Sequence, residues 1–185
     1  MQDYRLDPER LSGVLGEFRG PAPVQQWQPP YCGEIDMRIA RDGRWYHEGQ
    51  LIRRPGLVQL FASLLRREPD GSYSLVTPVE RVTIRVDDCP FVASLLGASG
   101  AGELGMLDFT LNTGERVRAG PAHPLRVTTI AGEPHPVLQV RDGLEALISR
   151  NVFYELVELA QVEASEEGER LVLWSDGAKF VLGQL

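Results

Sequence analysis

At 185 residues, 43% hydrophobic and 24% charged, the chain is long enough to bury a core in one compact domain or two small ones without disulfide or metal staples. Its formal net charge of −7 argues against a general nucleic-acid binder, and no apolar run approaches the roughly 18 residues of a membrane helix. The opening residues, Met1 to Asp7, lack the basic and then apolar pattern of a signal segment, and Cys32 and Cys89 have neither metal nor redox spacing, so a cytoplasmic location and free thiols are expected.

In chain order, Asp7 can cap a short helix carrying Leu11, Leu15 and Phe18, which Gly20-Pro21-Ala22-Pro23 breaks before a proline-rich connector. Ile35-Asp36-Met37-Arg38-Ile39 alternates apolar with charged residues, the pattern of a strand, and turns at Asp42-Gly43 into Trp45-Tyr46-His47. A helix begins near Pro55, whose missing N–H is no loss in a first turn, and ends before Pro69-Asp70-Gly71. Tyr73 to Val76 reads as a strand. From Pro78 to about Val140 the pattern is β. Val82, Ile84 and Val86 alternate with Arg81, Thr83 and Arg85; Asp87 to Pro90 breaks the run; Phe91 to Leu96 and then Leu107, Phe109 and Leu111 resume it. Further strands are expected at Leu125 to Ile130 and Val137 to Val140, then a second helix from Asn151 to about Ala164 and a closing hairpin around Asp176-Gly177. The expected class is α+β with mostly antiparallel sheets, organised as an N-terminal α+β unit (1–78) and a C-terminal β-rich unit (79–185).

One pattern occurs twice. Leu51-Ile52-x-Arg54 with Leu60 returns as Leu147-Ile148-x-Arg150 with Leu156. After the first arginine, Leu57, Leu60, Phe61, Leu64 and Leu65 occupy one helical face; their counterparts are Phe153, Leu156, Val157, Ala160 and Gln161, while Gln59, Arg66, Glu155 and Glu158 point outward. Arg-Asp-Gly precedes both helices, at Arg41 and at Arg141, and a glycine-led strand follows each. The expectation is a duplicated unit of hairpin, helix and strand.

Catalytic signatures are sparse. Gly100-Ala101-Gly102-Glu103-Leu104-Gly105 spells G-x-G-x-x-G, but Met106 to Leu111 alternates as a strand where dinucleotide chemistry requires a helix. His123 and His135 each precede a proline in expected loops, and His47 lies in the first hairpin; no catalytic residue, metal or cofactor is expected. The repeated arginines stand out. Arg54 and Arg150 each sit at a helix start, where a cation opposes the helix dipole by about 0.3–1 kcal/mol unless an anion compensates. The anion is either an internal carboxylate, with Asp36, Asp42, Glu48 and Asp142 in range by sequence, or a ligand phosphate or carboxylate held by the guanidinium and open N–H groups together. Arg53 adds a second cation at the first position. Trp45 and Tyr154 lie near these starts, as core residues or as stacking surfaces for a ring.

A wider set of motifs runs along the chain: Gly33-Glu34-Ile35-Asp36-Met37-Arg38-Ile39, Asp42-Gly43-x-Trp45-Tyr46-His47, Leu64-Leu65-Arg66-x-Glu68, Leu75-Val76-Thr77-Pro78-Val79-Glu80 and Asp88-x-Pro90-Phe91. Together they resemble a bacterial family, widespread in proteobacteria, known only as a domain of unknown function. The resemblance implies a duplicated core, a C-terminal part similar to pleckstrin-homology folds, a pocket between the halves, and a nucleotide-based ligand in a signalling role. The resulting expectation is a non-enzymatic binding protein for a small anionic, nucleotide-like ligand. Arg54 and Arg150 would contact the anion, Trp45 and Tyr154 would stack on a ring, and His47 and Asp36 would orient polar groups. The alternatives are a hydrolase using His47 with Asp36 or Glu48, and a protein-interaction module on the β-rich half.

Overall fold

The computed structural model describes residues 22–166 and 168–185, in two compact units that divide between Asp88 and Cys89. The expected helix carrying Leu11, Leu15 and Phe18 lies outside the described residues. The N-terminal unit contains strands β1 (Tyr31–Ile39), β2 (Trp45–His47), β3 (Gln50–Leu51), β4 (Leu65–Arg67), β5 (Tyr73–Val76) and β6 (Arg81–Val86), with helix α1 (Pro55–Ser63) between β3 and β4. They form one sheet in the order β3-β2-β1-β6-β5-β4. All pairs are antiparallel except β1 beside β6. A boundary drawn at 78 would cut β6 from this sheet.

Alternation decides what each face buries. Met37 pairs with His47 and Ile39 with Trp45, so these four side chains share one face, and Met37, Ile39 and Trp45 are buried there. Phe61 stacks on Trp45 with ring centroids 6.1 Å apart, which sets α1 on this face. On the opposite face Arg66, expected to point outward, is buried. Its guanidinium donates to the backbone carbonyls of Val24 and Trp27 at 3.1 and 2.9 Å, and forks onto Glu68, which also holds Arg81 at 3.0 Å. The segment before β1 is thereby tied to the sheet.

The C-terminal unit contains β7 (Phe91–Ser99), β8 (Met106–Leu111), β9 (Arg116–Arg118), β10 (Leu125–Ile130), β11 (Glu133–Arg141), β12 (Leu144–Ile148), α2 (Arg150–Leu159), β13 (Gln161–Ser165), β14 (Gly168–Ser175) and β15 (Ala178–Gln184). A six-stranded sheet runs β10-β11-β12-β7-β8-β9, with β12 parallel to β7, and β13-β14-β15 form a separate sheet. The β11–β12 turn uses Asp142 and Gly143 at φ of 42° and 77°, a left-handed pair that matches the twist of a tight hairpin. Phe91, Phe109, Leu138, Leu144 and Leu156 fill the core. Helix α2 packs on β7 and β14, and β14 lies against β8. His135 stands on β11, buried, rather than in a loop.

Both units therefore hold a six-stranded sheet of one strand order, two three-stranded meanders joined by a central parallel pair, as duplication predicts. The repeated Leu-Ile-x-Arg runs out of phase with this likeness. In chain order, its first copy begins at the end of the third strand of its sheet and its second copy at the end of the sixth. Around both helices the local succession is the same: hairpin, helix, three-stranded meander. Both helices are shorter than their apolar stripes. Leu64 caps α1 and Leu65 begins β4 against Leu75; Ala160 is extended and Gln161 begins β13 against Val172. Strand pairing overrides helical propensity at each end. Among the described residues no helix is long and apolar enough to cross a membrane.

Candidate functional site

At the start of α1, Arg54 is the capping residue in extended conformation, and its carbonyl accepts the N–H groups of Leu57 and Val58. At the start of α2 the cap is Ser149, whose carbonyl accepts the Phe153 N–H at 2.9 Å, and Arg150 is the first helical residue. Neither start has a side-chain cap or an acidic residue in its first turn. The first-turn N–H groups thus keep their positive end exposed, beside a cation.

Arg54 and Arg150 are both exposed, and among the described residues neither forms an ion pair. The carboxylates in range by sequence are not used: Asp42, for example, pairs with Arg44 at 3.5 Å. Several other arginines are matched. Arg38 and Arg85 each approach Asp87 at 3.0 Å, and Arg141 holds Glu115 at 2.6 Å. Tyr154 lies one turn after Arg150 on the same exposed face of α2, 57% accessible, so its ring and that guanidinium are neighbours by helical geometry.

The remaining expected residues are placed differently. Trp45 is 1% exposed and engaged with Phe61, and its Nε1 has no hydrogen-bond partner among the described residues. His47 is exposed near the edge of the sheet, on the face of Met37. Asp36 is exposed on β1, and the register partner of His47 is Met37. Among the described residues no hydrogen bond or ion pair joins Asp36 to His47.

The glycine motif serves packing. Gly100 turns with φ of 69°, and a Cβ there would meet the Leu104 carbonyl oxygen at 2.1 Å. At Gly105 a Cβ would lie 2.6 Å from the Trp174 carbonyl oxygen, and the Gly105 carbonyl accepts the Asp176 N–H at 3.0 Å. Only a three-residue 3-10 turn, Gly102–Leu104, precedes β8, so no helix N-terminus faces a pyrophosphate. Beside this loop lies a cleft of about 170 Å³ walled by Met106, Leu159, Gln161 and Trp174. That volume is below the roughly 300 Å³ at which small-molecule pockets begin. Buried Ser175 secures the same region, donating to the Ala119 carbonyl at 2.7 Å and accepting the Leu107 N–H at 2.9 Å. Sequence reasoning missed this cleft because its walls meet only when β14 crosses β8.

Two family models match the chain: "Domain of unknown function (DUF1285), N-terminal domain" over residues 22–89 and "Protein of unknown function (DUF1285), C-terminal domain" over residues 90–182. The crystal structure of a DUF1285 family protein from Silicibacter pomeroyi DSS-3 is similar, with a TM-score of 0.86 and 45% identity over 95% of this chain and 93% of that one. A DUF1285 family protein from Shewanella baltica OS155 shares the fold, with a TM-score of 0.53 and 23% identity over 66% of this chain and 90% of that one. No curated protein matches.

Proposed function

The chain belongs to the DUF1285 family, and we propose that it binds small anionic, nucleotide-like ligands at its arginine-bearing helix starts, that of α1 in one unit and that of α2 in the other, in a signalling or regulatory role. The observation that carries this reading is the repetition of an exposed arginine, without a carboxylate partner among the described residues, at an uncapped helix start. Each placement costs about 0.3–1 kcal/mol against the helix dipole, and a bound phosphate reverses the sign by accepting both the N–H groups and the guanidinium. Arg53 strengthens the first start, and Tyr154 offers the second an exposed ring on which a base would stack. A pleckstrin-homology-like character of the C-terminal part is proposed within this same reading.

Thermal unfolding with a panel of nucleotides and with inorganic phosphate tests it. A ligand at about 100 times its Kd adds about 2.7 kcal/mol of stability and raises Tm. The rise should fall in both Arg54→Ala and Arg150→Ala. Tyr154→Ala should weaken the response to nucleotides while sparing that to phosphate. A panel without any shift, or a shift indifferent to both arginine substitutions, rejects the reading.

A further inference from the structure

The negative charge of this molecule is unevenly distributed. Residues 22–88 carry nine basic and nine acidic side chains, whereas residues 89–185 carry seven and thirteen. Six of the thirteen are glutamates in one stretch, Glu155, Glu158, Glu163, Glu166, Glu167 and Glu169, with no lysine or arginine among them. The described residues of that stretch run from α2 through β13, one of the two outer strands of the three-stranded sheet, to the start of β14.

One edge of β13 pairs with β14 from Gln161 to Ser165, and among the described residues its other edge pairs with no strand. Natural edge strands are commonly protected by proline, a bulge or a free charge. This edge has no proline and its register with β14 is unbroken. Its one charged residue, Glu163, is already engaged by Arg170 and by Lys179 at 2.6 Å. Val162 is 57% exposed and Leu159, just before the strand, 47%. The cleft of about 170 Å³ opens beside Leu159 and Gln161, a volume suited to one side chain.

We propose that β13 is a docking edge for a basic, extended segment of a partner protein, which adds as a fourth strand to the β13-β14-β15 sheet and seats one apolar side chain in the cleft beside Leu159. Main-chain hydrogen bonds give such strand addition its affinity, and alternate side chains give it selectivity. Lysines or arginines on the incoming segment meet the exposed Glu158, Glu166 and Glu169. A second copy of β13 is a poor occupant, because self-pairing would bring the glutamates of both chains together.

The test uses the full chain, labelled with 15N, and three capped six-residue peptides: alternating Lys and Val, alternating Glu and Val, and alternating Lys and Gly. The Lys-Val peptide should bind, shift amide signals of residues 159–165 and of the cleft loop, and slow amide exchange along β13. The Glu-Val peptide should not bind, and the Lys-Gly peptide should bind at least about tenfold more weakly, because it lacks side chains that favour a strand. Val162→Lys and the double variant Glu166→Lys with Glu169→Lys should each weaken Lys-Val binding by about tenfold or more. These substitutions fall on exposed side chains, so the amide spectrum away from β13 reports retained folding. Unchanged β13 amides overturn the proposal, as does equal binding of the Lys-Gly peptide or by Val162→Lys. A dimer in sedimentation that Val162→Lys converts to monomer also overturns it, since a second copy would then hold the edge.

Discussion

In the N-terminal unit the three strands after α1 rejoin the six-stranded sheet, whereas in the C-terminal unit the three strands after α2 make a sheet of their own. The difference follows from how many edges a strand has. β1 takes β2 on one side and leaves the other free for β6, which arrives from the meander after the helix. β12 takes β11 on one side and β7 on the other, so when α2 ends no central edge remains open and β13, β14 and β15 pair among themselves. The two sheets have the same strand order, and the strand that closes each comes from opposite directions in sequence. What the closing meander touches therefore differs. β4, β5 and β6 enclose the ion network of Arg66, Glu68 and Arg81, while β14 is held to β8 by Ser175 and by the close backbone approach at Gly105.

Glu68→Ala gives the strongest test of that contrast. Arg66 would keep two backbone carbonyls but lose its carboxylate while buried at 8% exposure, a loss of the kind that costs about 3–5 kcal/mol. Asp108→Ala removes the C-terminal unit's exposed pair with Arg118, which should cost below about 1 kcal/mol. Urea unfolding of both variants measures the difference. Equal losses would mean that the buried network is not what closes the N-terminal meander.

Gly105→Ala is the next test and belongs to the other unit. The methyl group would meet the Trp174 carbonyl oxygen at 2.6 Å, a backbone atom with little room to move, so the expected cost is about 1–3 kcal/mol. The strain should appear as faster amide exchange in β14 and at Asp176, with β1 to β6 unaffected. Exchange that quickens equally in the N-terminal sheet would show that the docking of β14 is not local.

Much of this architecture was legible in the sequence, for reasons that were local. Asp42-Gly43, Asp142-Gly143 and Asp176-Gly177 mark three hairpins, Pro55 marks a helix start, and the alternation of Val82 and Ile84 with Arg81, Thr83 and Arg85 marks β6. The helix ends were not legible. Leu64, Leu65 and Gln161 suit an apolar stripe or a strand equally well, and strand partners distant in sequence decide between them. Among the candidate site residues, Arg150 and Tyr154 share a helical face as their spacing implies, but nothing local announces that Trp45 is sealed against Phe61. The pairing of His47 with Met37 rather than with Asp36 follows from the hairpin register, readable only once Asp42-Gly43 is placed as the turn.

The smallest expected effect concerns how the separate sheet holds its outer strand. Glu163 on β13 reaches Lys179 on β15 and Arg170 on β14, so one carboxylate spans all three strands. The Lys179 hydrogen bond, then that of Arg170, holds its pKa below the ordinary glutamate value. In the acid range the unfolded chain therefore binds more protons at this group than the folded one, so its stabilisation is complete above the unfolded pKa and is lost as pH falls through the folded one. Asp70, lowered by hydrogen bonds from Ser72, gives the N-terminal unit the same sign of dependence within a single turn. Glu163→Gln and Asp70→Asn should each flatten part of the rise in the urea midpoint between roughly pH 3 and 6. Both pairs are exposed, so the change at neutral pH should be slight. The two variants should separate in amide exchange. Acid should loosen β13 in the parent and not further in Glu163→Gln, while Asp70→Asn leaves that response intact. If acid leaves β13 as protected as β14, the carboxylate bridge is not what retains the outer strand, and the register with β14 alone must hold it.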